Sequence, residues 1–157
     1  MTPTQETPPV PPLLGREHSI RTADNGEIDQ FVAEVYATME PALIQHHFIN
    51  PEFRINLALH EAVINAWRHG NRKNPDKAVT VRWRVKEHLV LEVMDQGAGF
   101  DFQSLKDPRT DENIRRSHGR GIAIIIHLAD QVSWQDQGRH LIASFRSISI
   151  REKKKPA

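Results

Sequence analysis

The residues from 55 to 70, INLALHEAVINAWRHG, constrain the fold more than any other stretch of this sequence. Apolar residues recur there at steps of three and four, which predicts a single helix with an apolar stripe. The stripe comprises Ile55, Leu59, Ala62, Val63 and Ala66. On the other side, Glu61 and Asn65 lie one turn apart and share the surface with Leu57 and Ile64, so we expect the helix to be covered on most of its circumference. A covered carboxylate is costly unless it is paired or coordinated, so other parts of the chain must meet these two polar groups.

Composition places the chain among soluble, single-domain proteins. Its 157 residues match one domain, and 38% hydrophobic with 26% charged residues allow a real core. The absence of cysteine excludes a disulfide framework and thiolate metal sites. A net charge of +1 argues neither for nor against a nucleic-acid partner, and no broad basic footprint follows from it. We expect no direct nucleic-acid partner. No apolar run approaches the roughly 18 residues of a membrane span, and no signal pattern opens the chain, which predicts a cytoplasmic protein away from the membrane.

Proline and charge divide the chain into three segments. Residues 1–14 contain many prolines without periodicity, which predicts a disordered or extended arm. Residues 15–148 carry the periodic patterns and form the expected folded domain. Residues 149–157 end in a basic tail, for which a solvated end is the simplest interpretation.

Two helical pieces are expected before the central helix. An apolar stripe predicts a helix over residues 27–39, with Asp24 or Asn25 as its cap. Pro41 is expected to end or kink this helix, because proline removes a backbone donor. A second helical piece is then expected over residues 42–48.

Short alternating segments predict the sheet. Residues 79–86 alternate between apolar and polar side chains, and residues 89–94 follow after a tight turn, so these two strands should be antiparallel. Further strands are expected at 18–22, 131–135 and 140–148. With the helices, this order predicts a two-layer α/β sandwich whose mixed, mostly antiparallel sheet is covered on one face by helices.

Asp95 ends a predicted strand and is followed by Gly97 and Gly99. An acid at a strand end can accept hydrogen bonds in a fixed direction, for example from an exocyclic amine. Glycines beside it would let a flat ligand approach the backbone. A simple glycine-rich turn is the alternative interpretation of this pattern.

A second glycine pair, Gly119-Arg120-Gly121, is expected to open a helix that runs over residues 121–129. A glycine-rich turn that enters a helix aims backbone N–H groups at one point and can hold a phosphate there. The spacing fits neither the dinucleotide-binding fingerprint nor the P-loop, so we exclude both classes.

Glu61 and Asn65 also suit magnesium chemistry. Mg²⁺ prefers hard oxygen ligands, keeps several waters and often takes only one or two protein groups beside phosphates. Asn65 could be that ligand, and Glu61 could orient or deprotonate a hydroxyl or a water. The alternative is a buried pair that hydrogen-bonds to a neighbouring strand. His60-Glu61 begins like a zinc-protease motif, but Ile64 replaces the second histidine, so that class is excluded. His69 is expected near the same pocket, with a structural role favoured.

Taken together, three motifs resemble one known family. HEAVINAWRHG resembles the N-box of the GHKL ATPase superfamily, DQGAGF its first glycine box and SHGRGIAII its second. The chain is most similar to the stand-alone anti-sigma-factor serine kinases of bacteria, over about residues 15–148. It lacks a phosphoacceptor-histidine helix and a transducer domain, so a sensor histidine kinase or a topoisomerase subunit is not expected.

The resemblance implies a site for ATP and Mg²⁺. Asn65 would hold the Mg²⁺, and Asp95 would meet the adenine amino group, with Gly97 and Gly99 beside the base. The implied phosphate contacts are Gly119, Arg120, Gly121 and Ile122. Residues 100–118 correspond to the ATP lid. The implied lid contacts to phosphate are Arg115, Arg116 and His118.

The resemblance also implies an activity and partners. Glu61 corresponds to the proposed base that activates the acceptor serine in these kinases. Family members bind a sigma factor or an anti-anti-sigma protein, and some form homodimers. Two functions therefore remain open: an ATP-dependent serine/threonine kinase that regulates transcription, or a nucleotide-dependent binding module that sequesters a partner without turnover.

Overall fold

The computed structural model describes residues 16–104 and 117–147. The proline-rich arm, the basic tail and most of the expected lid, with Arg115 and Arg116, lie outside the described residues. No helix within those two described ranges is long and apolar enough to cross a membrane.

Five strands form one sheet. In chain order they are β1 (Arg16–Ile20), β2 (Val79–Val85), β3 (His88–Met94), β4 (Gln131–Gln135) and β5 (His140–Arg146). Their order across the sheet is β1-β2-β3-β5-β4, and each of these neighbouring pairs is antiparallel. Alternating burial along β2, β3 and β5 follows the period-two pattern of the sequence, because successive side chains point to opposite faces.

Three helical segments lie against the buried face of the sheet. Helix α1 spans Asn25–Gln45, and α3 spans Ser117–Leu128. Between them in the chain lies α2 (Leu57–Asn65), continued without a break by wide turns of π-helix, Glu52–Asn56 before it and Ala66–Gly70 after it. We call this continuous run, residues 52–70, the central helix.

The core lies between the helices and one face of the sheet. Leu91 of β3 pairs with Trp83 of β2 and with Ala143 of β5, and all three side chains are buried. Ile55 and Leu59 of the central helix are completely buried, as its stripe predicts. The predicted fold class, a two-layer α/β sandwich with helices on one face, is therefore confirmed, and all strand pairs in the described ranges are antiparallel.

The expected helix end at Pro41 was wrong, while the alternative of a kink at Pro41 stays a prediction. Helix α1 continues through Pro41 to Gln45 as a single element. Met39 and Leu43, on either side of the proline, are both completely buried, so packing of the apolar stripe outweighs the loss of one backbone donor. The first of the two predicted caps is confirmed, since Asp24 accepts a 3.1 Å hydrogen bond from the N–H of Glu27. The helix itself starts at Asn25, two residues before the predicted start.

The start of α3 also differs from its prediction. The sequence places Gly119-Arg120-Gly121 before the helix, whereas the helix begins at Ser117 and includes both glycines. Glycine lowers helix propensity, so the sequence pattern favours a later start. The helix is therefore one turn longer at its start than the pattern indicates.

Candidate functional site

A cleft opens where the central helix, the end of β3, the start of α3 and the β4–β5 turn meet. The cavity volume is about 60 Å³, and the cleft is partly open to solvent. Side chains from all these elements line it, and they include Asn65, His69, Asp95, Ile122, Trp134 and Arg139. The three sequence motifs therefore face one cavity, although they are remote from each other in the chain.

Gly121 brings α3 against the polar pair of the central helix. A Cβ atom built on Gly121 would lie 3.0 Å from Oε2 of Glu61 and 3.9 Å from Oδ1 of Asn65. Any larger residue at this position would push into the carboxylate. The absence of a side chain thus lets the backbone of α3 approach Glu61 and Asn65 closely.

The expectation that the central helix is covered on most of its circumference is confirmed, since residues 54–67 are all buried or half-buried. Glu61 and Asn65 are half-buried, as are Leu57 and Ile64. The glycine of α3 meets the polar pair without a side chain, and the cleft stays open beside Asn65. The partial exposure removes the need for an internal partner and leaves both groups accessible to a ligand.

Asp95 lies just beyond the end of β3 and is fixed through its backbone and one carboxylate oxygen. Its N–H donates to the carbonyl of Arg139 at 2.9 Å, and its Oδ1 accepts from the N–H of Gly97 at 2.8 Å. Burial raises the pKa of Asp95, while the Gly97 N–H and the Arg139 guanidinium oppose that rise. A Cβ on Gly70 would lie only 2.4 Å from the carboxyl carbon of Asp95, so the end of the central helix packs directly against the carboxyl group.

Gly97 and Gly99 serve close backbone packing in this structure. A Cβ on Gly97 would lie 2.0 Å from the carbonyl oxygen of Gly70. Gly99 has a positive φ of 81°, and a Cβ there would lie 2.3 Å from the carbonyl oxygen of Gln137. The glycines therefore hold the loop against the central helix and against the β4–β5 turn, and Gly99 also lines the cleft.

We expect Gly97→Ala to destabilise the fold by about 1–3 kcal/mol, because the new methyl group meets backbone that cannot move alone. Ala98→Ser is the matched control, since Ala98 is the exposed neighbour in the same loop. Thermal or denaturant unfolding of both variants measures the difference. Equal stability of Gly97→Ala and the unchanged protein would contradict the packing described above.

The second motif forms the first turn of α3. Ser117, His118, Gly119 and Arg120 occupy this turn, and Gly121 and Ile122 follow, both buried. N–H groups in the first turn of an α-helix have no acceptor within the helix, so they point out of its N-terminus and favour an anion. This property does not need the glycine-rich turn that the sequence suggested. Ile122, just after the first turn, lines the cleft.

Several residues of the cleft were not predicted from the sequence. Trp134 and Phe100 line the cleft, and their rings meet edge to face at 6.0 Å. Phe102 stacks on Trp134 at 5.9 Å, so three aromatic rings anchor the loop after Gly99 on β4. Arg139 lines the cleft from the β4–β5 turn. Strand periodicity could not reveal these contacts, because they join segments distant in sequence. His69 lines the cleft where the sequence placed it.

The oxygen atoms of Asn65, which lines the cleft, and of Glu61, one turn before it, fit a magnesium ion. Among residues 16–104 and 117–147, no group of three or more histidine, cysteine, aspartate or glutamate side chains could hold a metal ion. Asn65 and Glu61 offer hard oxygen atoms beside the start of α3. Mg²⁺ often takes only one or two protein oxygens and completes its shell with phosphates and water, so these two protein side chains are enough for the part of the shell that a protein supplies.

Comparison with known proteins agrees with the geometry of the cleft. A search of curated proteins gave no match. The family model described as the histidine kinase-like ATPase domain matches residues 22–145, which include the central helix, the Asp95 loop and α3. Because this match covers most of the chain, the protein belongs to the family of histidine kinase-like ATPase domains and is an ATP-binding module.

Proposed function

We propose that this protein is an ATP-dependent serine/threonine protein kinase that regulates bacterial transcription as an anti-sigma or partner-switching factor. The supporting observation is the position of Glu61. Its carboxylate lies against Gly121, beside the helix N-terminus that favours a phosphate. A carboxylate at that point can act on a hydroxyl that approaches the terminal phosphate of ATP.

The two ends of the cleft suggest how ATP would lie. At one end, Asp95 uses Oδ1 to accept from Gly97 and keeps Oδ2 for the exocyclic amine of adenine. At the other end, the first turn of α3 would receive the phosphates through Gly119 and Arg120. The further contacts implied by the resemblance, Gly121 and Ile122, follow that turn. His118 is a further candidate contact, and Arg116 remains a prediction outside the described residues.

Asn65 would hold the Mg²⁺ that accompanies ATP, since its amide oxygen lies near the start of α3. The ion would supply positive charge to the phosphate oxygens when bound. Charge stabilisation and positioning carry most of the catalysis in phosphoryl transfer, so a rigid cleft of backbone N–H groups suits this reaction.

Glu61 would act as the general base. The acceptor hydroxyl oxygen forms a bond to the γ-phosphorus, and the bond between that phosphorus and the β,γ-bridging oxygen breaks. The products are the phosphorylated serine or threonine and ADP, and the hydroxyl proton passes to the carboxylate of Glu61. Partial exposure of Glu61 is consistent with this role, because an acceptor from another protein must reach it.

Motif resemblance supports the identity of the partners. The proposed acceptor or target is a sigma factor or an anti-anti-sigma protein in the cytoplasm, and a homodimer is part of the same proposal. Neither a nucleic acid nor a membrane is needed for this activity.

The test uses the full chain with Mg²⁺, ATP labelled at the γ-phosphate, and small acceptor proteins or sigma factors encoded beside its gene. The proposal expects label on a serine or threonine of one of these proteins. Intact ATP binding without any transfer would reject the kinase and support the non-catalytic module that sequesters its partner.

A further inference from the structure

A second surface depression, with no lining residue in common with the cleft, lies where α1 packs beside the first turns of the central helix. Two adjoining hollows share Glu52 and Phe53 at this place. We call this surface the acidic groove. Its lining includes Asp29, Glu40, Ile44, Glu52, Phe53 and Asn56. Nothing in the proposed kinase reaction uses it.

The acidic groove exposes large apolar side chains. Phe53 is 69% exposed and Ile44 is 62% exposed, and the neighbouring Ile49 is 47% exposed. Single exposed apolar residues are common, but a cluster rimmed by polar groups is typical of a contact surface. The cluster therefore suggests that an apolar segment covers it.

The charge around the groove has one sign. Between residues 22 and 53, every charged side chain other than histidine is acidic. Glu40, Glu52 and Asp29 lie on the groove itself, with His60 paired to Asp29 at 3.2 Å. An occupant with lysine or arginine side chains would complement this charge.

Within the described ranges, Asn56 has an unpaired hydrogen-bond acceptor in the groove. Its Oδ1 atom is buried and has no hydrogen-bond partner among the residues that the structure describes. Because a buried acceptor without a partner is costly, the groove favours an occupant that brings an N–H donor. A lysine side chain or a backbone amide meets this requirement.

The described chain ends close to this groove. Strand β5 ends at Arg146, whose carbonyl accepts from Nη1 of Arg54 at 3.0 Å. Arg54 also pairs with Asp130 at 2.9 Å, so the end of β5 is tied to the residue that follows Phe53. The chain thus leaves the described structure beside the first turn of the central helix.

The sequence beyond this point has the matching chemistry. Residues 148–157 read ISIREKKKPA, with isoleucines at 148 and 150 and lysines at 153, 154 and 155. Ten residues can reach up to about 33 Å when extended, which is enough to cross the groove from its near end.

We propose that the segment 148–157 docks in the acidic groove of its own chain. Its isoleucines cover Phe53 and Ile44, and its lysines pair with Glu40, Glu52 and Asp29. A donor from the segment satisfies Oδ1 of Asn56. The basic tail is then a cover for an apolar surface, which a partner protein would have to displace before it could bind there.

A zero-length carbodiimide cross-linker tests the contact in the unmodified full chain, because it joins a carboxylate to an amine only where the two touch. The expected product is a monomer in which Glu40 or Glu52 is joined to Lys153, Lys154 or Lys155, mapped by peptide mass spectrometry. We expect at least a fivefold drop in yield in 1 M salt, on the order of the screening at that ionic strength.

Glu87 is the matched control acid. It is exposed and precedes His88, which pairs with Arg146, so it lies equally near the end of β5 but away from the groove. Links from the lysines to Glu87 at the same yield as to Glu40 and Glu52 would overturn the proposal. Links found only in covalent dimers would also overturn it and would assign the groove to a second copy of the chain.

A charge exchange gives an independent check. Glu40→Lys with Glu52→Lys should abolish the cross-links to the tail lysines. If the three tail lysines are then changed to glutamate in the same variant, cross-links should form again. They would now join the new lysines at positions 40 and 52 to the new glutamates of the tail. Failure of this restoration in a variant that keeps the melting temperature of the unchanged protein would contradict specific docking.

Discussion

Glu61→Gln is expected to lower the rate of phosphoryl transfer by about 10²–10⁴-fold, the usual contribution of a general base. Glutamine keeps the size of the side chain but cannot take the proton of the acceptor hydroxyl. The contact with Gly121 should survive, because the shape of residue 61 is nearly unchanged. Affinity for ATP should stay within about threefold of the original value, since the proposed base acts on the acceptor and not on the nucleotide.

Single-turnover transfer from labelled ATP measures this effect, and calorimetry measures ATP binding on the same preparations. Glu87→Gln is the control, because it makes the same chemical change at an exposed turn outside the cleft. Transfer at the full rate in Glu61→Gln would remove Glu61 from the reaction. Loss of ATP binding in that variant would instead assign Glu61 to the nucleotide site.

Asp95→Asn is expected to weaken ATP binding by about 10–150-fold, which corresponds to about 1.5–3 kcal/mol for a hydrogen bond to a charged group. Asparagine can still accept the N–H of Gly97 through its side-chain oxygen, so the loop should keep its shape. Its amide group, however, lacks the charge that favours the adenine amine. The loss of affinity therefore reports on the base pocket alone.

The same substitution should not destabilise the protein without ligand. Burial raises the pKa of Asp95, so the folded state holds the proton of this carboxyl more tightly than the unfolded chain does. The protonated carboxyl of Asp95 therefore contributes to the free energy of unfolding. This contribution is fully present below the pKa of the unfolded chain, about 3.9, and it is lost as the pH rises through the raised pKa of the folded state. Asparagine does not titrate, so the variant avoids that loss.

Thermal unfolding of the ligand-free protein at pH 4 and pH 7 measures this linkage. The melting temperature of Asp95→Asn minus that of the original protein should be larger at pH 7 than at pH 4. Asp76→Asn, at an exposed turn, is the control and should show no such rise. A variant that loses stability at pH 7 would show that the carboxylate is needed for the fold.

The regular elements could be predicted because their patterns are local. Alternation along β2 and β3 and the stripe of the central helix each follow from the geometry of a single element. The cap at Asp24 is equally local, since a side chain meets an N–H three residues ahead. These predictions needed no knowledge of what packs against the element.

The features that the sequence did not reveal depend on contacts between distant segments. Helix α1 passes through Pro41 because Met39 and Leu43 pack in the core, which local propensity cannot indicate. The close approach of α3 to Glu61 depends on a single glycine in α3, Gly121, which is distant from Glu61 in the chain. The sequence could therefore predict which residues belong to the site, but not how they pack around the cleft.

The glycines show this difference most clearly. The sequence suggested that Gly97 and Gly99 make room for a flat ligand, whereas the structure places a carbonyl oxygen where each Cβ would lie. Both glycines fix the loop and so orient Asp95, and their contribution to ligand binding is indirect. Wide turns at both ends of the central helix were also absent from the prediction, and such turns are frequent at functional sites.

The affinity of the unchanged protein for Mg²⁺-ATP relative to Mg²⁺-GTP tests the central claim most directly. Guanine carries a carbonyl oxygen where adenine carries its amine, and an acceptor facing the carboxylate of Asp95 is repelled. The account predicts one ATP bound per chain, at least about tenfold tighter than GTP, when both are measured by calorimetry. Equal affinity for the two nucleotides, or binding of neither, would contradict a cleft that is built around Asp95, Asn65 and the start of α3.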